Sequence, residues 1–163
     1  MSEEKDRELR ALQAALAAEH AAVYGYGIVG GRIGAGQRTE ALTAYDAHRA
    51  RRDALVREVK DLGGRPVAAS AGYALPFQVP DSAAAVRLAA ELEDRLTGVY
   101  ADLVRVSEGS RRREAAALMS EAAVRSVRWR GSSVAFPGLS ERSGSDGPAP
   151  SVSPSPGGTS GSL

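Results

Sequence analysis

From Gly63 to Pro80 the chain runs for eighteen residues with three prolines, Pro66, Pro76 and Pro80, and without helical periodicity. Structureless connections of this length are uncommon inside a compact domain. The stretch is therefore expected to span something. A helix of about 22 residues is about 33 Å long, and a chain of this length reaches roughly 60 Å when extended. It is predicted to travel the length of a helix rather than fold back locally.

The flanking sequence supplies two pairs of helices. The first helix is predicted over about 4–29, where Leu9, Leu12, Leu16, Val23 and Tyr26 recur at three- and four-residue steps. Gly30, Gly31, Gly34 and Gly36 are expected to end it. The second is predicted over about 39–62, with Thr39 as N-cap and Gly63-Gly64 as its stop. The third is expected over about 81–106, capped by Asp81 or Ser82, with Val86, Ala89, Leu92, Leu96, Val99, Leu103 and Val106 on one face. The fourth covers about 110–130 and ends at Gly131. Short glycine-containing turns within each pair imply two antiparallel hairpins. One long crossover between two hairpins is the ferritin-like arrangement of a four-helix bundle.

Composition agrees with an all-α fold. The chain has 163 residues, is rich in alanine and arginine, and is only 5% aromatic. Alanine and arginine favour helix, and β-branched and aromatic residues are too sparse for a sheet protein. A net charge of +1 gives no bulk attraction to nucleic acid. Without cysteine there is no disulfide, thiolate metal site or cysteine nucleophile. The charged start MSEEKDRELR has no apolar segment of a signal peptide, and no long apolar run suggests a membrane span. The expectation is a cytoplasmic protein that forms a homo-oligomer, a dimer, with no membrane or nucleic-acid partner.

Polar residues interrupt the apolar seams at mid-length. Glu19 falls on the seam of the first helix. On the second, the seam traced back from Leu62 runs Val59, Leu55, Arg52, His48, Tyr45, Ala41. Glu93 lies at the edge of the third seam, and Glu121 and Arg125 follow Leu118 on the fourth. Buried charge is costly unless paired or metal-bound. One solution is a metal, iron or manganese, held by Glu19, His48, Glu93 and Glu121. Di-metal bundles use a Glu from each of two helices and a Glu-x-x-His pair from each of the others. Here Tyr45 stands where the Glu of one pair is needed, and Val124 where the His of the other is needed. The other solution is a metal-free polar core, with Arg52 and Arg125 neutralising the carboxylates and Tyr45 and His48 as hydrogen-bond partners. The missing ligands favour the second.

Five segments together, ALQAALAAEHAAVYGYG (11–27), AYDAHRARRDAL (44–55), PVAASAGYALPF (66–77), LEDRLTGVYADLV (92–104) and RWRG with FPGL (128–131, 136–139), resemble an uncharacterised ferritin-like domain family of high-GC bacteria. The resemblance covers about residues 7–139. It implies a ferritin-like bundle and no particular activity. Against the wider ferritin-like pattern, Glu19, His48, Glu93 and Glu121 match ligand positions, while Tyr45 and Val124 depart from it.

Other signals carry less. His20 and the tyrosines at 24, 26, 45 and 100 suit interhelical hydrogen bonding at the core edge. Gly25 and Gly27 suit close approach of another backbone, that of the crossover. Arg111-Arg112-Arg113 opposes the dipole at the start of the fourth helix and reads as a solvated basic patch, with phosphate contact as the alternative. No dinucleotide, phosphate-loop, zinc or Ser-His-Asp motif is present. From Ser140 onward, Ser, Gly and Pro supply 17 of 24 residues, the composition of a disordered tail. Phe136-Pro137-Gly138-Leu139 is expected to dock on the bundle before it. The reading is a ferritin-like bundle over 1–139, structural or interaction-forming, with a metal-binding oxidoreductase or iron-handling protein as the alternative.

Overall fold

The computed structural model describes residues 2–131. The expected docking of 136–139 and the tail from Ser140 lie outside the described residues. Four helices form the fold: α1 (Glu3–Arg32), α2 (Arg38–Asp61), α3 (Ser82–Val106) and α4 (Gly109–Arg130). A short 3₁₀ turn, Ala35–Gln37, joins the first two. Ser2 caps α1 and Asp81 caps α3, each accepting a hydrogen bond from a first-turn N–H. Gly131 closes α4 with φ +76°, the left-handed conformation that glycine adopts without steric cost.

Two helix ends differ from the sequence expectation. Helix α1 continues through Gly30 and Gly31 to Arg32. Val29 and Ile33 are buried on either side of the glycines, so packing holds the last turn that propensity alone would fray. Helix α2 starts at Arg38, and Thr39 lies inside it, its carbonyl accepting from the Thr43 hydroxyl at 2.9 Å rather than its own hydroxyl capping the end.

The helices pair as two antiparallel hairpins, α1 with α2 and α3 with α4. Helix α1 also packs antiparallel on α3, Glu19 meeting Tyr100 at one level and Tyr26 meeting Glu93 at the next. That order leaves α1 parallel to α4, with Glu8 beside Arg111 and Tyr26 beside Trp129. A Cβ on Gly25 would stand 2.6 Å from Cδ1 of Leu92, so the glycine permits the close α1–α3 contact. Gly27 faces open space. The close approach is thus made by α3, not by the crossover.

The connection 63–81 runs lengthwise along α1. It starts beside Leu9, which packs against Gly64. Gln13 Nε2 donates to the Arg65 carbonyl at 2.6 Å, and its Oε1 accepts from the Val67 N–H at 2.8 Å. His20 meets the Val67 carbonyl at 3.1 Å, and the ring of Tyr73 lies 5.4 Å from that of Tyr24. Leu75, Phe77 and Val79 then pack on the far half of the core, and Ser82 Oγ accepts from the Gly34 N–H at 3.0 Å. The lengthwise crossover makes this a ferritin-like four-helix bundle.

The apolar core falls into two parts. One is built around Leu12, Leu16, Leu55, Val59, Leu96 and Leu103. The other is built around Tyr26, Val29, Ile33, Leu88 and Trp129. Between them lies a layer in which Glu19, His48 and Glu93 are fully buried. No helix among the described residues is long and apolar enough to cross a membrane.

Gln13 is the side chain that ties the exposed start of the crossover to α1 by two hydrogen bonds. Gln13→Ala is expected to cost about 1 kcal/mol in urea unfolding. Amide exchange should show the Val67 N–H losing protection while the helices keep theirs.

Candidate functional site

Each buried ionisable group arrives on a seam that is otherwise alanine and leucine. Glu19 sits on α1 between Leu16 and Ala22, Glu93 on α3 between Ala89 and Leu96, and His48 on α2 between Ala44 and Leu55. Their side chains meet on the bundle axis. His48 Nδ1 lies 2.7 Å from Glu19 Oε2, and His48 Nε2 lies 3.0 Å from Glu93 Oε1. The imidazole is thus a bridge between two carboxylates on two other helices. Only the doubly protonated ring donates to both sides.

The outer lone pairs are also taken. Tyr100 donates to Glu19 Oε1 at 2.5 Å, and Tyr26 donates to Glu93 Oε1 at 2.5 Å. Trp129 Nε1 donates to the Tyr26 oxygen at 2.9 Å, and the Tyr26 ring stacks on His48 with centroids 5.1 Å apart. Arg125 reaches in from α4, its Nη1 3.3 and 3.4 Å from the two oxygens of Glu93. With the bridge as imidazolium, two carboxylates face one imidazolium and one guanidinium, and the cluster is neutral. Neutrality and complete hydrogen bonding are the conditions under which buried charge is tolerated.

The titration behaviour follows from these contacts. Burial works against a charged His48, but the hydrogen bonds and charges of Glu19 and Glu93 outweigh it and raise the imidazole above 6.5. Burial also disfavours an ionised Glu93, yet His48, Arg125 and the Tyr26 hydroxyl together hold its carboxyl below 4.5. Burial, reinforced by the neighbouring carboxylates, pushes both Tyr26 and Tyr100 well above the ordinary tyrosine range, so both phenols stay protonated and donate.

The structure brings four of the seven sequence candidates together and places the other three elsewhere. Glu19, His48 and Glu93 meet, with Arg125 beside them. The Glu121 side chain is 54% exposed and pairs with Arg51, on the seam between α2 and α4. Arg52 turns away from the core and pairs with its exposed neighbour Asp53 at 2.8 Å. Tyr45 packs at the edge of the apolar cluster, under the Arg49 guanidinium. The cause is helix rotation. On α2 the buried positions are Ala41, Ala44, His48, Leu55 and Val59, which turns Arg51, not Arg52, towards the bundle. On α4 they are Ala115, Ala122, Ser126 and Trp129, which carries Glu121 and the exposed Val124 off the core.

The sequence reading treated Tyr26 and Tyr100 as core-edge residues and passed over Trp129 and Arg51 as members of this layer. A signal for the tyrosines exists. Glu19 and Tyr26 are seven residues apart, and so are Glu93 and Tyr100. On two antiparallel helices that repeat sets each tyrosine against the other helix's glutamate.

The residues do not fit a di-metal centre. The carboxylate oxygens and both imidazole nitrogens already hold protein hydrogen bonds, the ring lies between the carboxylates, and a guanidinium faces Glu93. Metal–ligand distances of about 2 Å would require the imidazole to leave that position. Among the described residues no group of three or more His, Cys, Asp or Glu side chains is arranged to hold a metal ion.

The pH dependence of stability follows in sign. Glu93, lowered in the fold, contributes stability above 4.5 that is lost as pH falls through its folded value. His48, raised in the fold, contributes stability below 6.5 that is lost as pH rises through its folded value. Urea unfolding should therefore give a maximum between these two values and a decline on either side. His48→Gln is expected to lose about 3–5 kcal/mol near pH 6, because it leaves a buried carboxylate without its cation, and to flatten the alkaline decline.

Comparison with known proteins places this geometry in context. A conserved hypothetical protein of Mycobacterium tuberculosis, rv2844, is similar in structure with a TM-score of 0.75 and 35% identity, over 77% of this chain and 96% of that one. A protein of Bacillus anthracis described as ferritin-like and diiron-carboxylate is similar with a TM-score of 0.63 and 17% identity, over 80% of this chain and 96% of that one. At that identity the likeness is one of fold. No curated protein matches the chain. The family model described as Domain of unknown function (DUF4439) matches residues 11–141, and the chain belongs to that ferritin-like family.

Proposed function

We propose that this domain is a ferritin-like structural or interaction module whose interior is held by an imidazolium bridge where related bundles hold metal. The observation that carries the reading is His48, which uses both ring nitrogens on the carboxylates of Glu19 and Glu93. In a redox bundle those carboxylates and that imidazole are the open donors. Here they are consumed in joining α1, α2 and α3, and Arg125 adds α4. The work of the cluster is to fix the rotation and register of four helices whose seams are largely alanine. A buried, fully paired polar group serves that purpose because any other register leaves it unpaired.

The reading separates two arginines and two metal outcomes. Arg52→Ala should cost less than about 1 kcal/mol, as expected for a solvent-facing pair. Arg125→Ala should cost about 2 kcal/mol, since it removes a charged donor from buried Glu93. Elemental analysis of full-length protein incubated with ferrous iron or manganese and then desalted should give well under one metal per chain. Stoichiometric metal that disappears in Glu19→Ala would overturn the proposal in favour of an iron-handling or oxidoreductase role.

A further inference from the structure

The second half of the crossover is extended, and its residues alternate. Tyr73, Leu75, Phe77 and Val79 are half-buried, while Ala74, Pro76 and Gln78 are exposed. Leu75, Phe77 and Val79 pack on the core, which lifts the chain off the helices around Tyr73 and leaves a cleft there. The cleft encloses about 330 Å³ between the crossover, α1 and α3, with Tyr24, Tyr73, Leu75 and Leu92 among its walls. That volume suits a small molecule. The rings of Tyr24 and Tyr73 meet at the α1 side, 5.4 Å apart and tilted by 51°. Tyr24 is 39% exposed, an aromatic surface left open at a concave place.

Two opposite charges complete the lining and select the ligand. Glu91 and Arg95 stand one turn apart on α3, and both border the cleft. A glutamate four residues before an arginine is the order that favours a helix salt bridge. Here neither side chain makes an ion pair or hydrogen bond among the described residues. Arg87, one turn before Glu91, is held over the Phe77 ring at 5.5 Å from its centroid. The cleft thus offers an apolar wall with a free carboxylate and a free guanidinium side by side. A simple anion meets Glu91 and a simple cation meets Arg95, whereas a zwitterion satisfies both. The two side chains leave the helix about 5–6 Å apart at Cβ, so their ends can converge on two charges carried by one carbon. From this arrangement we infer that the cleft binds a free hydrophobic α-amino acid. Its ammonium pairs with Glu91, its carboxylate with Arg95, and its side chain lies against Tyr24, Tyr73, Leu75 and Leu92.

Saturation-transfer NMR of the full chain tests this, with L-phenylalanine as the probe. Transfer should be saturable and strongest at the ring protons. Phenethylamine lacks the carboxylate and 3-phenylpropionate lacks the ammonium, so each should bind about 10-fold more weakly or worse. Glu91 and Arg95 are exposed and unpaired, so Glu91→Gln and Arg95→Gln should keep the melting temperature of the parent chain. Each should weaken L-phenylalanine about 10-fold. Arg95→Gln should leave phenethylamine unaffected, and Glu91→Gln should leave 3-phenylpropionate unaffected. No saturable transfer at millimolar probe, equal binding of the three probes, or an affinity for L-phenylalanine unchanged in both variants would overturn the inference.

Discussion

The bundle depends on one imidazole ring. His48 stands at a level where α1, α2, α3 and α4 all contribute to a single hydrogen-bonded cluster, and it is the member that touches both carboxylates. The apolar clusters on either side are made largely of alanine, leucine and valine. Such side chains tolerate sliding and rotation at small cost, because one alanine packs much like another. Hydrogen bonds to buried charges do not. A shift of one residue in α2 would take the ring away from Glu19 and Glu93 and leave two buried carboxylates without the imidazole that bridges them. The polar layer therefore supplies the specificity that the alanine-rich seams lack.

On the proposed reading, the same layer lets a bundle with the ferritin-like architecture be built around something other than metal. In the metal-containing design, carboxylates are stabilised by dications, and imidazoles stay neutral to act as ligands. Here the imidazole is the cation. Tyrosine hydroxyls fill the carboxylate positions that remain, and Arg125 supplies the second positive charge. Both tyrosines come from helices that already carry a glutamate, so the antiparallel α1–α3 pair forms two reciprocal Tyr–Glu contacts. Trp129 extends the network from Tyr26 to the end of α4, which ties the last turn of the bundle to its centre.

Much of the architecture was legible in the sequence. The four helices, the hairpin pairs and the lengthwise crossover followed from periodicity and from the unequal connections. So did the mid-length positions of Glu19, His48 and Glu93, because a charged residue on an apolar seam is conspicuous. What failed was helix rotation on α2 and α4. Alanine occupies many positions on both faces of these helices, so the seam is poorly marked, and Arg51 and Arg52 are equally plausible by spacing. The structure puts Arg51 inward and leaves Arg52 with Asp53, and it moves Glu121 out to meet Arg51. The glycines at the end of α1 misled for a different reason: propensity ended the helix at Val29, but burial of Val29 and Ile33 carried it on to Arg32. The reciprocal seven-residue Glu–Tyr spacing was present in the sequence and becomes meaningful once α1 and α3 are known to be antiparallel neighbours.

The protonation state of His48 decides between an ion-paired core and a ligand set waiting for metal. Nitrogen-15 NMR of the imidazole in uniformly labelled, full-length protein reads it directly, since protonated and bare ring nitrogens have well-separated shifts. Near pH 6.5, where a free histidine is half-titrated, the account predicts a predominantly protonated His48 with a proton on both Nδ1 and Nε2. A neutral ring with one bare nitrogen at that pH would contradict it.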